Sequence, residues 1–299
     1  TPDESWLITE IGAWDLEKRT FLEYTFSTRS HSKSTLGKPW TRMALMENGN
    51  IAVINVDSES FIASHSPAQK MTGKILIHIL NAEDFRILSE IMIPFEFEDC
   101  IDEITLSPDG SILAVGLLNG KLHLLDAITK EQITSFNANN TMSGMGHRSA
   151  FDQILFNYDG SAFATAGADE IIHIWRTHDF SEITSVQGSM RPVFSPDGKY
   201  LAYIHIDDRQ ILVKPLIDEA EPFLLGGHST RPLKLEFSND SSLLISVGWQ
   251  NIKIWSIENK ALITELQEND GVTSLSLNSD NSRLYVSYYE SGIGMWGLK

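Results

Sequence analysis

Ile172-His-Ile-Trp-Arg176 recurs as Ile252-Lys-Ile-Trp-Ser256 and again as Ile293-Gly-Met-Trp-Gly297. Weaker copies end at Asp15 (I-G-A-W-D), Asn81 (I-H-I-L-N), Asp126 (L-H-L-L-D) and Pro215 (I-L-V-K-P). The fourth position of the pentad therefore falls at Trp14, Leu80, Leu125, Trp175, Lys214, Trp255 and Trp296, and the last three intervals are 39, 41 and 41 residues. A repeat of roughly 40 residues that closes on an aliphatic-x-aliphatic-Trp strand is the pattern of a four-stranded propeller blade. The expected fold is all-β, a β-propeller of four-stranded antiparallel blades.

A second signal recurs between the pentads. Ser107-Pro-Asp-Gly110, Asn157-Tyr-Asp-Gly160 and Ser195-Pro-Asp-Gly198 each separate two apolar stretches. Met46-Glu-Asn-Gly49, Ser238-Asn-Asp-Ser241 and Asn278-Ser-Asp-Asn281 hold the same place in other repeats. Pro fixes φ, Asp bonds its own backbone, and Gly supplies positive φ, which together make a tight hairpin turn. Each repeat thus reads as strand a, this turn, strand b, a turn, strand c ending at the pentad, and strand d. Strand a begins near Trp40, Ile101, Phe151, Arg191, Pro232 and Val272. A further strand c at Trp14 precedes them, with a strand d at Phe21–Ser27. Trp6–Glu10 as a shortened strand b gives seven blades, the favoured reading. Phe21–Ser27 pairing with the last repeat gives six, the alternative. Either way residues 1–299 read as one repeat domain, because blades share a ring.

These features resemble the WD-repeat family, and the resemblance covers nearly the whole chain. In that family a His, a strand-b hydroxyl, a turn Asp and the strand-c Trp pin a blade. The resemblance assigns these roles to His147, Thr165, Asp169 and Trp175. A second set, His228 after Gly227, Ser246 and Trp255, lacks the turn Asp and reads as incomplete. Where Leu80, Leu125 and Lys214 replace Trp, apolar packing is expected to hold the blade.

Composition narrows the function. The net charge of −17 opposes nucleic-acid binding, which needs clustered Lys and Arg. No apolar run approaches the roughly 18 residues that span a bilayer, so no membrane role is expected. Cys100 is the only cysteine, which excludes an internal disulfide and fits a cytoplasmic, reducing setting. The chain starts at Thr1 without Met, as expected of a piece of a longer polypeptide with other domains.

Candidate catalytic groups dissolve under the same logic. His78, His123 and His173 occupy one place in three repeats, but adjacent sheets lie about 10 Å apart, too far to share one ion. His147, Thr165 and Asp169 imitate a nucleophilic triad but belong to the structural set. Asp207-Asp208 and Asp218-Glu-Ala-Glu221 read as solvated turns. No phosphate loop, zinc motif or nucleophile elbow is present. The chain is expected to be a non-enzyme without cofactor or metal.

Binding is sought where the chain departs from its repeat. Strand alternation puts b–c and d–a connections at the same end of a blade, the top face. Two insertions sit there, Thr28–Pro39 and Ser58–Gly73, and carry Arg29, His31, Lys33, His65 and Lys70, with Trp40 alongside. A long connection, Asn137–His147, joins them. Trp249 replaces a polar residue in a b–c turn, and Arg191 and Arg231 sit beside prolines on the same rim. The expected role is an interaction scaffold or sensor that binds a protein or peptide there. The partner would bring an acidic segment to the basic insertions or a basic segment to the acidic remainder. A channel enzyme and a purely architectural subunit are the alternatives.

Overall fold

The computed structural model describes residues 6–9, 12–15, 20–23, 41–46, 48–58, 71–81, 84, 86–138, 151–167, 169–207, 209–217, 220–268, 270–278, 280–289 and 292–297. Among them, every regular element is a β-strand, and the strands form seven sheets in chain order. The first is Trp6–Thr9, Gly12–Asp15 and Thr20–Glu23, a three-stranded b-c-d unit. The second is Thr41–Leu45, Ile51–Ser58, Met71–Leu80 and Ile87–Phe97. The third is Ile101–Leu106, Ile112–Leu117, Lys121–Asp126 and Gln132–Asn137. Phe151–Phe156, Ala162–Gly167, Ile171–Arg176 and Glu182–Gln187 make the fourth. The fifth is Ser189–Phe194, Tyr200–Ile204, Gln210–Pro215 and Phe223–Gly227. Lys234–Phe237, Leu243–Val247, Asn251–Ser256 and Ala261–Gln267 make the sixth. The seventh ends on strand c: Val272–Leu277, Arg283–Tyr288 and Ile293–Gly297. The chain packs as two compact units, Thr1–Ile154 and Leu155–Lys299.

The fourth residue of all seven pentads lies on a strand c, as the spacing requires. In the four-stranded sheets, strands b and c sit at the centre and carry the core. In the fourth sheet every residue of Ala162–Gly167 is buried, whereas strand d of the sixth, Ala261–Gln267, is almost wholly exposed. In the second unit, one apolar cluster joins Ala202, Ile204, Ile211 and Val213 of the fifth sheet to Leu235, Leu244 and Trp255 of the sixth. Another joins Ile245, Ile252 and Ile254 to Leu275, Leu284 and Val286 of the seventh.

Two features have no counterpart in the sequence patterns. The c–d ladder shifts register immediately before the pentad's fourth residue, at Ile79/Leu80, Leu124/Leu125, Ile174/Trp175 and Ile254/Trp255. A bulge of this kind re-aims one side chain. The second corrects the Ser58–Gly73 insertion. Its ends are not loop: Ser58 pairs with Gly73, Asp57 with Lys74 and Val56 with Ile75, which extends the ladder. Strands of 8, 10 and 11 residues result, because the β-branched alternation of Ile75, Ile77 and Ile79 continues the buried face.

The a–b turns share one hydrogen-bond plan. Ser107, Ser195 and Ser238 each donate Oγ–H to the Asp two residues on, at 2.6 Å. Each also accepts the backbone N–H five residues on, at 2.8–2.9 Å. Asn157 and Asn278 accept the same N–H through Oδ1, at 2.9 and 2.7 Å. Positive φ falls on Gly110, Gly160 and Gly198, and on Ser241 and Asn281 where the repeat lacks Gly.

These contacts hold the turn carboxyls below the ordinary aspartate value of 3.8. In Asp159 and Asp240 the hydroxyls of Ser161 and Ser238 lead, and in Asp109 and Asp197 partial burial opposes the hydrogen bonds but is outweighed. A depressed native value means the unfolded chain binds protons more readily. Stability from these groups is therefore complete above 3.8 and is lost as pH falls through the native values. Asp159→Asn combined with Asp240→Asn should shrink the drop in urea midpoint between pH 7 and pH 3; an unchanged drop would remove the turns from acid stability.

Candidate functional site

The fourth and sixth sheets test the pinned-blade expectation. In the fourth, the buried Trp175 donates Nε1–H to Thr165 Oγ1 at 3.1 Å. Asp169 accepts the Ile171 N–H at 3.2 Å and lies 3.7 Å from His173 Nε2. His147 lies outside the described residues.

The sixth sheet corrects the incomplete network. Trp255 Nε1–H donates to Ser246 Oγ at 2.8 Å, and Ser246 lies 2.7 Å from His228 Nε2. His228 Nδ1 meets Asn251 Oδ1 at 2.8 Å, and Asn251 Nδ2 donates to Glu265 Oε1 at 2.8 Å. The partners fix the tautomer: Nδ1–H donates to the amide oxygen, and Nε2 accepts the serine proton. Asn251 fills the place of the missing Asp. From the Gly that ends strand b to the first pentad residue, this turn is one residue shorter than that of the fourth repeat (Gly248 to Ile252 against Gly167 to Ile172). The orienting group therefore comes from the first residue of strand c. The turn glycine is required here, since a methyl on Gly248 would meet His228 Nδ1 at 2.7 Å.

The Trp substitutions are handled individually. Leu80 and Leu125 are buried among apolar neighbours, as expected. Lys214 corrects the expectation for the fifth sheet: it is buried, and its Nζ donates to the Ala220 carbonyl at 2.8 Å. An ammonium cannot be buried bare, and the c–d connection supplies its acceptor.

Each strand-c histidine has a partner on strand d of its own sheet or beside it, and His123 also lies against Phe97 of the second sheet. His78 Nε2 lies 3.1 Å from Glu90, His123 Nδ1 2.7 Å from Gln132, and His173 Nδ1 2.9 Å from Glu182. Among the described residues no group of three His, Cys, Asp or Glu side chains gathers to hold a metal. Asp207 caps the N–H groups of Arg209 and Gln210 as a turn residue, and Asp208, Asp218 and Glu219 lie outside the described residues.

Of the expected binding residues, Arg29, His31, Lys33, Trp40, His65 and Lys70 lie outside the described residues, as does most of 137–147. Arg191 is exposed, adopts φ 66°, and donates from Nη1 to the Leu233 carbonyl, which ties it to the start of the next strand a. Arg231 is half-buried. Trp249 is 48 % exposed in the b–c turn of the sixth sheet. Its ring rests on Gly271, where an added Cβ would meet Cζ2 at 2.6 Å, and its carbonyl accepts the Val272 N–H at 2.9 Å. Tyr289, in the b–c turn of the seventh sheet and 71 % exposed, stands 6.2 Å away, centroid to centroid. The sequence reading missed Tyr289, although its place in the last repeat matches that of Trp249.

Comparison with known proteins agrees with these blades. The family described as WD domain, G-beta repeat matches residues 222–256, and that described as KNTC1, N-terminal matches residues 85–176. In repeat, relatives and fold the chain is similar to WD-repeat propeller proteins. It is 24 % identical over 178 residues to the Intraflagellar transport protein 80 homolog of Rattus norvegicus, covering 58 % of this chain and 21 % of that one. It is 23 % identical to the Serine-threonine kinase receptor-associated protein of Gallus gallus, covering 61 % and 51 %. The chain thus spans about a fifth to a half of these relatives. A chain of the solved Mitotic Checkpoint Complex superposes with a TM-score of 0.64 at 15 % identity, over 98 % of this chain and 87 % of that one.

Ser246 is the joint of the sixth-sheet network. Ser246→Ala strands the indole N–H and the imidazole nitrogen, and should cost about 1–3 kcal/mol in urea denaturation; Ser246→Thr should recover most of it. The imidazoles should also titrate apart. Burial is the main influence on His228 and pushes it below 6.5, whereas the neighbouring Asp169 carboxylate leads in raising His173 above 6.5. His228 thus lends stability that is lost as pH falls below 6.5, and His173 stability that is lost as pH rises through its native value. NMR titration that places His228 above His173 would refute both environments.

Proposed function

We propose that this chain is a non-catalytic interaction scaffold or sensor module that binds a protein or peptide at the b–c end of its sheets. The carrying observation is the exposed Trp249 beside Tyr289, two large aromatics held in place by backbone bonds. Aromatic anchors on a rigid frame are where binding energy concentrates. Similarity to a receptor-associated protein and to a chain solved within a checkpoint complex supports a protein partner. The seven sheets support seven blades, and the repeat that runs through both units supports one domain over 1–299. The single cysteine supports a cytoplasmic setting. The basic insertions with Arg29, Lys33 and Lys70 are a second contact region, suited to an acidic segment.

Affinity capture from source lysate should compare the chain with Trp249→Ala and with a deletion of Thr28–Pro39. Both variants must keep the melting temperature. A protein lost from both captures is the expected outcome; captures identical to the parent would place binding elsewhere and sink the b–c assignment.

A further inference from the structure

The aromatic pair is mounted on a short acidic connection. Residues 268–271 link the sixth and seventh sheets, and backbone bonds clip this link to both b–c turns. Glu268 N–H donates to Gln250 O at 2.8 Å, Val272 N–H to Trp249 O at 2.9 Å, and Tyr289 N–H to Gly271 O at 2.8 Å. Trp249 therefore lies across Gly271, with Tyr289 tilted by 49° beside it. The link carries two carboxylates, Glu268 and Asp270, and both bear on the neighbouring Tyr288 hydroxyl, whose value is raised chiefly by burial. Glu268 Oε1 is shielded from water, and the Glu268 carboxylate accepts from the Tyr288 hydroxyl. The intramolecular cation–π contacts among the described residues are Lys253 on Trp255 and Lys260 on Phe223, so the Trp249–Tyr289 pair has no such partner there.

We infer that Trp249, Tyr289, Glu268 and Asp270 form a docking surface for a Lys- or Arg-bearing segment of a partner protein. The cation lies over the exposed rings, Trp being the strongest aromatic acceptor, and its charge is met by the two carboxylates. The net charge of −17 steers a basic segment towards the chain and repels phosphate backbones. This inference rests on the scaffold reading and sharpens it: the b–c end of the last two sheets selects by cation and aromatic contact.

The test is selection from a random-peptide display library on the immobilised chain, repeated on Trp249→Ala/Tyr289→Ala and on Glu268→Gln/Asp270→Asn. Tyr289→Ala alone serves as a second aromatic variant, since its exposed ring makes little demand on the core. Peptides recovered from the parent should be enriched in Lys and Arg over the input. A synthetic recovered peptide, followed by fluorescence anisotropy, should bind at least about tenfold more weakly to the aromatic double variant. It should also weaken on the carboxylate variant and as ionic strength rises from about 0.05 to 0.5 M. Recovery of peptides without basic enrichment overturns the inference, as does binding indifferent to the aromatic variant, or no recovery at all. If lysate capture still yields a Trp249-dependent partner, the scaffold reading survives that failure; if it does not, both fall together.

Discussion

A meander of four strands cannot hide both of its faces, and that constraint governs everything else in this chain. Strands b and c of the four-stranded sheets carry the buried apolar residues, so such a sheet needs a neighbour. The clusters of the second unit are built this way: Leu244 and Trp255 face the fifth sheet, while Ile245, Ile252 and Ile254 face the seventh. Period-two alternation on one strand thus feeds two different interfaces. The blade repeat is the sequence expression of that demand, and it tolerates wide substitution as long as volume and apolarity are kept.

A polar group at the pentad's fourth position needs a partner in this double interface, and the chain meets that demand in four ways. Trp175 uses Thr165, and Trp255 uses a relay of Ser246, His228 and Asn251. Lys214 reaches the Ala220 carbonyl, and Leu80 and Leu125 avoid the problem by having nothing to satisfy. The longest relay also reaches strand d through Glu265, which accepts from Asn251 and Gln267 and lies 3.6 Å from Lys253. Burial keeps His228 neutral, so the relay carries no uncompensated charge inward. Hydrogen bonding at this site is therefore set by what stands at the pentad's fourth position, not by a fixed list of four residues.

That distinction explains what is legible in the sequence. The pentads and the Asp-Gly turns are local, and both appear as strands c and as a–b turns where expected. Asn251 is not legible, because its role depends on a turn shortened by one residue and on a histidine over twenty residues away. The c–d bulges leave no mark, since a bulge is a property of two strands and the pentad describes one. The long hairpin of the second sheet reads as loop when its excess length is measured against a mean repeat, while Ile75 continues the alternation of Ile77 and Ile79. Of the binding residues, Trp249 is visible as an anomaly in its turn. Tyr289 becomes meaningful only when the 268–271 link brings the two turns together.

The two ends of these sheets are chemically unequal, and the inequality shows where recognition is free to evolve. At the a–b end, side chains are consumed by structure: the turns of the third to seventh sheets spend their Ser or Asn and their Asp on their own backbone. Neighbouring turns are also joined, since Asp197 N–H donates to Ser241 Oγ at 3.1 Å and Asn239 N–H to Asn281 Oδ1 at 2.9 Å. A substitution there breaks a hydrogen bond that the fold uses. At the b–c end, turn length and composition vary from sheet to sheet. The bonds that hold Trp249 and Tyr289 in position are made by backbone N–H and C=O groups, which are indifferent to the side chain. Around Trp249 and Tyr289 geometry is fixed by main chain while chemistry is left to the side chains, so a binding surface there can change its specificity without disturbing the blades beneath it.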